Sequence, residues 1–429
     1  MRSLVPYILF IIAVVLLIQC ERDEPNPTVN ITDDNFINAL IELGIDMDGD
    51  GKISFGEAES VTSLNISKKN ISDLTGIERF TNLDTLDCSS NQLARLDVSG
   101  NTSLKWLYCG INQLTDIDVS ENSALKWLSC HTNNLTELEI AGNLNLEVLE
   151  CSNNQLSNLN VTNNTHLILL LCNQNALSIL DVSGNLDLRH LSCTDNNLTA
   201  LDVTHNKLLE ILSLIGNDLT SLDISVNRSL LALDIRSNRI NSLDLANNSE
   251  LQSLNCDGNN LSTLDVSHNP LLAWLDCRYN QLIGIDVSNN QDLDYFDCSG
   301  NQITILDLSE NSKLYGLRCE NNRLTALDIA NLSGLTEIYC GYNQLNTLNV
   351  TSQHNLNVLK CGNNQLTKLD LSHNSLMGQG GDCYPWHLDI SNMPSLTKVC
   401  VWAMPFPPEG FRLCADGSPN VYFSTDCNK

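Results

Sequence analysis

Residues 46–57, D-M-D-G-D-G-K-I-S-F-G-E, place oxygen-bearing side chains at a spacing that suits a hard cation. Asp46, Asp48 and Asp50 stand at loop positions 1, 3 and 5, and Gly51 supplies the sharp turn at 6. Lys52 offers its carbonyl at 7, Ser54 stands at 9 and Glu57 closes the loop at 12. This is the ligand order of a twelve-residue calcium loop, so one structural Ca²⁺ is expected; an acidic turn without metal is the alternative. The sequence holds no second such loop to pair with it, which puts the expected affinity on the order of 10⁻⁴ to 10⁻³ M.

The other reactive side chains are thiols. Of 17 cysteines, twelve recur every 21 residues or at a multiple of 21, at 88, 109, 130, 151, 172, 193, 256, 277, 298, 319, 340 and 361, with Leu214 and Ile235 in the two remaining copies. In-register parallel strands would hold equivalent Cα atoms about 4.8 Å apart with parallel Cβ vectors, a poor geometry for disulfides. No C-x-x-C spacing seeds a zinc site. Between a metal array, a run of bridges and buried free thiols acting as small hydrophobes, the spacing favours the last. Cys383, Cys400, Cys414 and Cys427 fall off the interval and predict two disulfides; three pairings are possible, with Cys400–Cys427 and Cys383–Cys414 expected. A metal or catalytic role for Cys383 with His387 is the lesser reading.

Catalysis finds no support. No P-loop, H-E-x-x-H or G-x-S-x-G is present, and the eight histidines fall at non-equivalent repeat positions, so the chain reads as a non-enzyme. With 23 Lys+Arg against 51 Asp+Glu and a net charge of −28, it also lacks the clustered cations that nucleic acid or an anionic membrane surface requires.

The elements that must position these groups are short and repeated. From Leu83 the unit L-D-T-L-D-C-S-S-N-Q-L-A-R-L-D-V-S-G-N-T-S recurs with almost no slippage, and the Asn three residues after the Cys is present in all fourteen copies. Such an Asn can satisfy buried backbone groups of adjacent coils. A 21-residue coil has no room for a full helix, so both of its sides are expected as strand or extended turn. In L-D-V-S the Asp points outward in eleven of fourteen copies, either capping a turn or sharing a cation. Ahead of the calcium loop, Thr32 to Leu43 predicts a short helix with Thr32 as its N-cap.

On the Cys-bearing strands the residues flanking the second Leu alternate outward and vary between copies. Trp106, Tyr108, Trp127, Val148, Leu169 and Leu171 predict one apolar patch, and Trp274, Arg278, Tyr279 and Tyr295 a second. Exposed aromatic patches mark binding sites for a protein or a polysaccharide; the competing reading is that neighbouring rings stack only to stabilise the sheet. After Asn374 the register breaks at M-G-Q-G-G-D-C-Y-P-W-H and resumes at Leu388, with Val401 expected in the ladder place and Cys400 outward.

Three resemblances follow. Arg2 and the apolar run Leu4–Ile18 read as a signal peptide, and Leu17-Ile18-Gln19-Cys20 resembles the lipobox of bacterial lipoproteins, although Gln19 replaces the usual small residue. The acidic Glu21-Arg22-Asp23-Glu24 resembles the stretch that sends some such lipoproteins to the cell surface. These imply an exported outer-membrane or cell-surface lipoprotein, lipidated at Cys20 and touching the membrane only through that anchor. The loop at 46–57 is EF-hand-like and resembles half of a dockerin repeat. Residues 61–402 resemble leucine-rich repeats, L-x-x-L-x-L-x-x-N-x-L with Cys at the third Leu, and in particular the cysteine-ladder internalins. The resemblance implies a β-rich solenoid: a curved, right-handed parallel-β coil with a small α N-terminal cap and a disulfide-containing β C-terminal cap.

The expected organisation is signal peptide 1–19, lipidated tether 20–31, calcium loop and N-cap 32–60, repeat solenoid 61–402 and C-terminal cap 403–429. The functional expectation is a monomeric adhesion or interaction module whose concave face binds an extended protein or polysaccharide; a structural envelope spacer without specific ligand is the alternative.

Overall fold

The computed structural model describes residues 27–379 and 387–427. The signal peptide, Cys20 and Cys383 lie outside these residues. Two compact units divide the chain, Met1–Asn143 and Leu144–Lys429.

The first unit opens with helix α1 (Asp34–Glu42). Its N-cap is Asp33, whose Oδ1 accepts the backbone N–H groups of Asn35 and Phe36. The expected cap, Thr32, instead donates its hydroxyl to Asp73 at 2.7 Å. Asp33 takes the role because its second oxygen accepts the backbone and hydroxyl of Ser72, both at 2.8 Å, fixing the helix to the first coil. Phe36 is fully buried with its ring 6.4 Å from Phe80. Helix α2 (Phe55–Ser60) carries a capping box, in which Ser54 and Glu57 satisfy each other's backbone N–H. The end of the expected tether is part of this fold: Val29 N–H donates to the Ile53 carbonyl at 2.7 Å and Phe55 N–H to that of Pro27 at 2.9 Å. This pairing ties the chain ahead of α1 to the end of the 46–57 loop. Strands β1 (Ser63–Asn65), β2 (Thr85–Asp87), β3 (Trp106–Tyr108) and β4 (Trp127–Ser129) then pair in parallel, with Leu64, Leu86, Leu107 and Leu128 in one buried row.

The second unit is a parallel β-solenoid with eleven strands spaced by 21 residues, from β5 (Val148–Glu150) to β15 (Val358–Lys360). Each strand is three residues long with its central residue in the core. The opposite side of the coil is extended backbone, with one bridge between Asp97 and Asp118 in the first unit and a three-stranded sheet, β16 (Lys368–Asp370), β18 (Lys398–Cys400) and β20 (Tyr422–Ser424), in the second.

Two side-chain ladders stitch the coils. Each repeat Asn works like Asn259, whose Oδ1 accepts Ile240 N–H at 3.0 Å while Nδ2 donates to the carbonyls of Ile235 and Cys256 at 2.9 and 3.1 Å. The residue before it holds left-handed φ in copy after copy, from Ser90 at 57° and Ile111 at 57° to Asn363 at 58°. That turn exposes the backbone groups the Asn satisfies. A second ladder, not foreseen, occurs in each unit, at Asn101 and Asn122 in the first and at Asn206, Asn227, Asn248, Asn269, Asn290 and Asn311 in the second: each is fully buried, donates Nδ2 to two carbonyls of the preceding coil and leaves Oδ1 without a partner among the described residues.

The register after the break differs from expectation. Strand β17 (Leu388–Asp389) pairs with β15, Leu388 opposite Leu359, so the fully buried Ile390 follows in the ladder column after Cys361. Val401 follows Leu371 on the other side of the coil, because β18 pairs with β16. The misreading has a simple source: L-D-I-S at 388–391 copies the second half of the repeat, yet the longer connection from β16 carries the chain back to the ladder strand. Strand β19 (Leu413–Cys414) closes this row on β17. Cys400 sits in the outward column opposite Asp370, as expected, and is bridged to Cys427.

Candidate functional site

In the calcium-type loop, one carboxylate oxygen each of Asp46, Asp48 and Asp50 lies within 4.8 Å of the others. The loop's own backbone holds them there. Gly49 and Gly51 N–H donate to the two oxygens of Asp46, Asp50 N–H to Asp48 and Lys52 N–H to Asp50. Gly51 has φ of +79°, which favours glycine. Glu57 is not part of the convergent set. Its carboxylate takes Ser54 N–H and Met47 N–H at 2.7 Å and the Ser54 hydroxyl at 2.9 Å, and the Ser54 backbone contact holds it below the usual carboxylate range. Three hard oxygens on a preorganised turn fit calcium chemistry rather than a soft metal.

The twelve ladder thiols are free and fully buried. Burial pushes thiols such as Cys277, Cys298 and Cys340 far above their ordinary pKa, so they are inert core groups. Of the off-ladder cysteines, Cys414 is free and half-buried. The outward Asp column caps turns: Asp97, Asp202, Asp265 and their equivalents accept the N–H two residues on, and the Ser or Thr hydroxyl there lowers their pKa.

On the strand face of the first unit, Trp106 and Trp127 are register partners, and Tyr108 packs on Trp127 with ring centroids 5.9 Å apart. All three are half-buried. The Lys105 ammonium lies 5.8 Å from the Trp106 ring, and the buried indole N–H of Trp127 has no acceptor among the described residues. In the second unit Val148, Leu169 and Leu171 are likewise half-buried.

Around β11 (Trp274–Asp276), β12 (Tyr295–Asp297), β13 (Gly316–Arg318) and β14 (Glu337–Tyr339) the face is more layered than expected. Trp274 and Tyr279 are exposed, at 38% and 61%, but Tyr295 is buried at 7%. Its strand partner is Gly316, where an added Cβ would lie 2.9 Å from the tyrosine ring. The ring therefore folds down over the glycine, and Trp274 stacks on it at 3.9 Å and 11°. Arg318 covers Tyr295 and Tyr339 at 5.6 and 4.6 Å, and Lys360 covers Tyr339 at 4.3 Å. Ring stacking thus removes Tyr295 from the exposed set and leaves one free face of Trp274.

Beside this stack lies a cluster that the aromatic reasoning missed. Arg278 reaches Asp257 at 3.1 Å, Asp276 at 3.5 Å and Asp297 at 3.8 Å. Burial, then the neighbouring Asp297 charge, pushes Asp276 up to about 7, and burial raises Asp297 as well. The signal was present in the sequence: acids at 234, 276 and 297 share one column, and residues two further along share its face.

No protein-family model matches the chain. The functional domain of InlJ from Listeria monocytogenes, which includes a cysteine ladder, has a similar structure, with a TM-score of 0.78 and 34% identity over 83% of this chain and 80% of that one. Curated Internalin J of L. monocytogenes serotype 4b (strain F2365) is 37% identical over 70 residues, 16% of this chain, and the match spans 8% of that protein's length. A leucine-rich-repeat protein of Leptospira interrogans shares the fold at a TM-score of 0.69 and 24% identity, covering 86% of this chain and 97% of that one.

Proposed function

Since the chain belongs to the cysteine-ladder internalins of the leucine-rich-repeat class, we propose that it is a non-enzymatic, monomeric binding module that engages an extended protein or polysaccharide through its strand face. The observation that carries this reading is the Trp106–Tyr108–Trp127 group. Three aromatic side chains project from adjacent strands away from the core, half-exposed, with one indole N–H unsatisfied. An aromatic anchor buried in a well-packed contact is worth about 2 kcal/mol, roughly thirtyfold in affinity.

The supporting parts are read in the same way. Asp46, Asp48 and Asp50, with the Lys52 carbonyl, would hold one structural Ca²⁺. The metal would neutralise the convergent carboxylates and brace the N-terminal cap, while Glu57 and Ser54 fix the loop to α2. Cys20, in its lipobox-like context, would anchor an exported lipoprotein at the outer membrane or cell surface. No helix among the described residues is long and apolar enough to cross a membrane.

The test is capture of surface proteins and polysaccharides by the full chain and by a Trp106→Ala/Trp127→Ala variant. The expected result is a specific partner retained by the first and weakened about thirtyfold by the second. Binding unaffected by the double variant, but lost in Asp202→Ala/Asp265→Ala, places recognition on the other side of the coil. No specific partner for the intact chain favours the spacer role and sinks the proposal.

A further inference from the structure

We propose that the strand face of the second unit carries a subsite for a neutral sugar ring, stacked on the free face of Trp274 above Ser253. This rests on the binding-module reading and names a ligand class for one part of the face.

The subsite is shaped by what stands next to Trp274 in its own column. Strands β8 (Ile211–Ser213), β9 (Ala232–Asp234), β10 (Ser253–Asn255) and β11 are in parallel register, so Ile211, Ala232, Ser253 and Trp274 form one row. Two small side chains lie between two large exposed ones, Ile211 at 39% and Trp274 at 38%. Three strand spacings of about 4.8 Å make this notch roughly 14 Å across at Cα level. One wall is the indole: its other face is taken by Tyr295, so the free face looks into the notch. A pyranose ring presents axial C–H groups on one face, which suit an aromatic surface, and hydroxyls around its edge.

The polar row at the edge of the notch matches those hydroxyls. Asp234, Asn255 and Asp276 are strand partners in the neighbouring outward column. The Ser253 hydroxyl and the Asn255 amide nitrogen have no partner among the described residues, which leaves a hydroxyl and an amide donor for a guest.

Charge separates a sugar from a cationic side chain, the other guest that an aromatic beside carboxylates can take. Every acid here already lies within 4 Å of a guanidinium of the chain: Asp234 is 3.3 Å from Arg236, and Asp257, Asp276 and Asp297 share Arg278 at 3.1, 3.5 and 3.8 Å. The groups left unmet are neutral hydrogen-bonding ones. An apolar protein anchor would bury Ser253 and Asn255 without partners, which is costly.

The experiment offers the full chain, separately, neutral hexasaccharides of glucose, mannose and galactose, and reads saturation transfer to sugar protons by NMR together with affinity. At least one is expected to bind with millimolar or tighter affinity. Trp274→Ala should weaken it tenfold or more, Trp274→Phe should restore part of the loss, and Ser253→Trp should abolish binding by filling the notch. Ile305→Ala, at a 78% exposed position outside the strand columns, should leave it unchanged. Circular dichroism separates a filled notch from an unfolded variant, and the Trp274→Ala and Trp274→Phe pair stands on its own if Ser253→Trp does not fold. Absence of transfer from all three sugars at 10-millimolar order, or binding indifferent to Trp274→Ala, overturns the subsite. So does an arginine-rich peptide that binds with Trp274 dependence while the sugars do not. Either of these failures leaves capture of a partner through Trp106 and Trp127 to be judged separately.

Discussion

Replacing Asn259 with Ala should cost far more than replacing Asn269 with Ala, although both are buried asparagines of the same stretch of solenoid. Asn259 accepts Ile240 N–H at 3.0 Å and donates to Ile235 and Cys256 carbonyls at 2.9 and 3.1 Å. Truncation leaves a buried N–H without an acceptor, worth about 1–3 kcal/mol, and removes two bonds worth about 1 kcal/mol each, for a total of about 3–5 kcal/mol. Asn269 donates to Leu245 and Asn248 carbonyls at 3.2 and 2.8 Å, but its Oδ1 is already unsatisfied. Alanine there loses two bonds and also deletes the orphaned acceptor, so the net cost is about 1 kcal/mol. The cavity terms are similar and largely cancel in the comparison. Urea unfolding followed by circular dichroism reads both variants against the parent, with the m-value checked for loss of two-state behaviour, since solenoids can unfold in sections. Equal destabilisation, or a larger loss for Asn269→Ala, refutes the assignment of the first ladder as the one that satisfies turn donors.

Calorimetry at millimolar calcium should find one more site in the full chain than in Asp50→Ala; identical titrations refute the calcium loop. Alkylation should modify the twelve ladder thiols only after unfolding, with Cys400 still bridged to Cys427, and a bridge between any two ladder cysteines refutes the strand geometry. Asp276 binds its proton more tightly folded than unfolded, so its ionisation erodes stability as pH rises from about 4 through 7. Asp276→Asn should therefore gain on the parent between pH 5 and pH 8, on the order of 3 kcal/mol, and a gap independent of pH refutes the burial argument.

Periodicity marked the chain as a stack of short coils, and the resemblance to leucine-rich repeats implied the parallel-β solenoid. A 21-residue interval with Leu, Cys and Asn at fixed places admits only coils stacked in register, because one slipped residue would turn every core side chain outward. The inertness of the thiols followed from the same spacing, and the candidates for bridging from their departure from it, while the choice of Cys400 with Cys427 among three pairings is the structure's. The convergence of Asp46, Asp48 and Asp50 was legible because they lie close together in sequence, although the diversion of Glu57 to Ser54 and Met47 was not.

Tertiary structure decided what depends on the neighbouring coil. Gly316 lies 21 residues beyond Tyr295, and only the packed sheet shows that a missing side chain there lets the tyrosine fold down and bury itself. The Asp276–Arg278 cluster likewise gathers charges from several coils, and its raised pKa comes from burial that no single strand reveals. The resumption at Leu388 was misread because a local motif, L-D-I-S, fits either side of the coil, and pairing with β15 makes the choice. Sequence fixes a residue's place within its own turn; which side chains are left for a partner is set by what the adjacent turns cover.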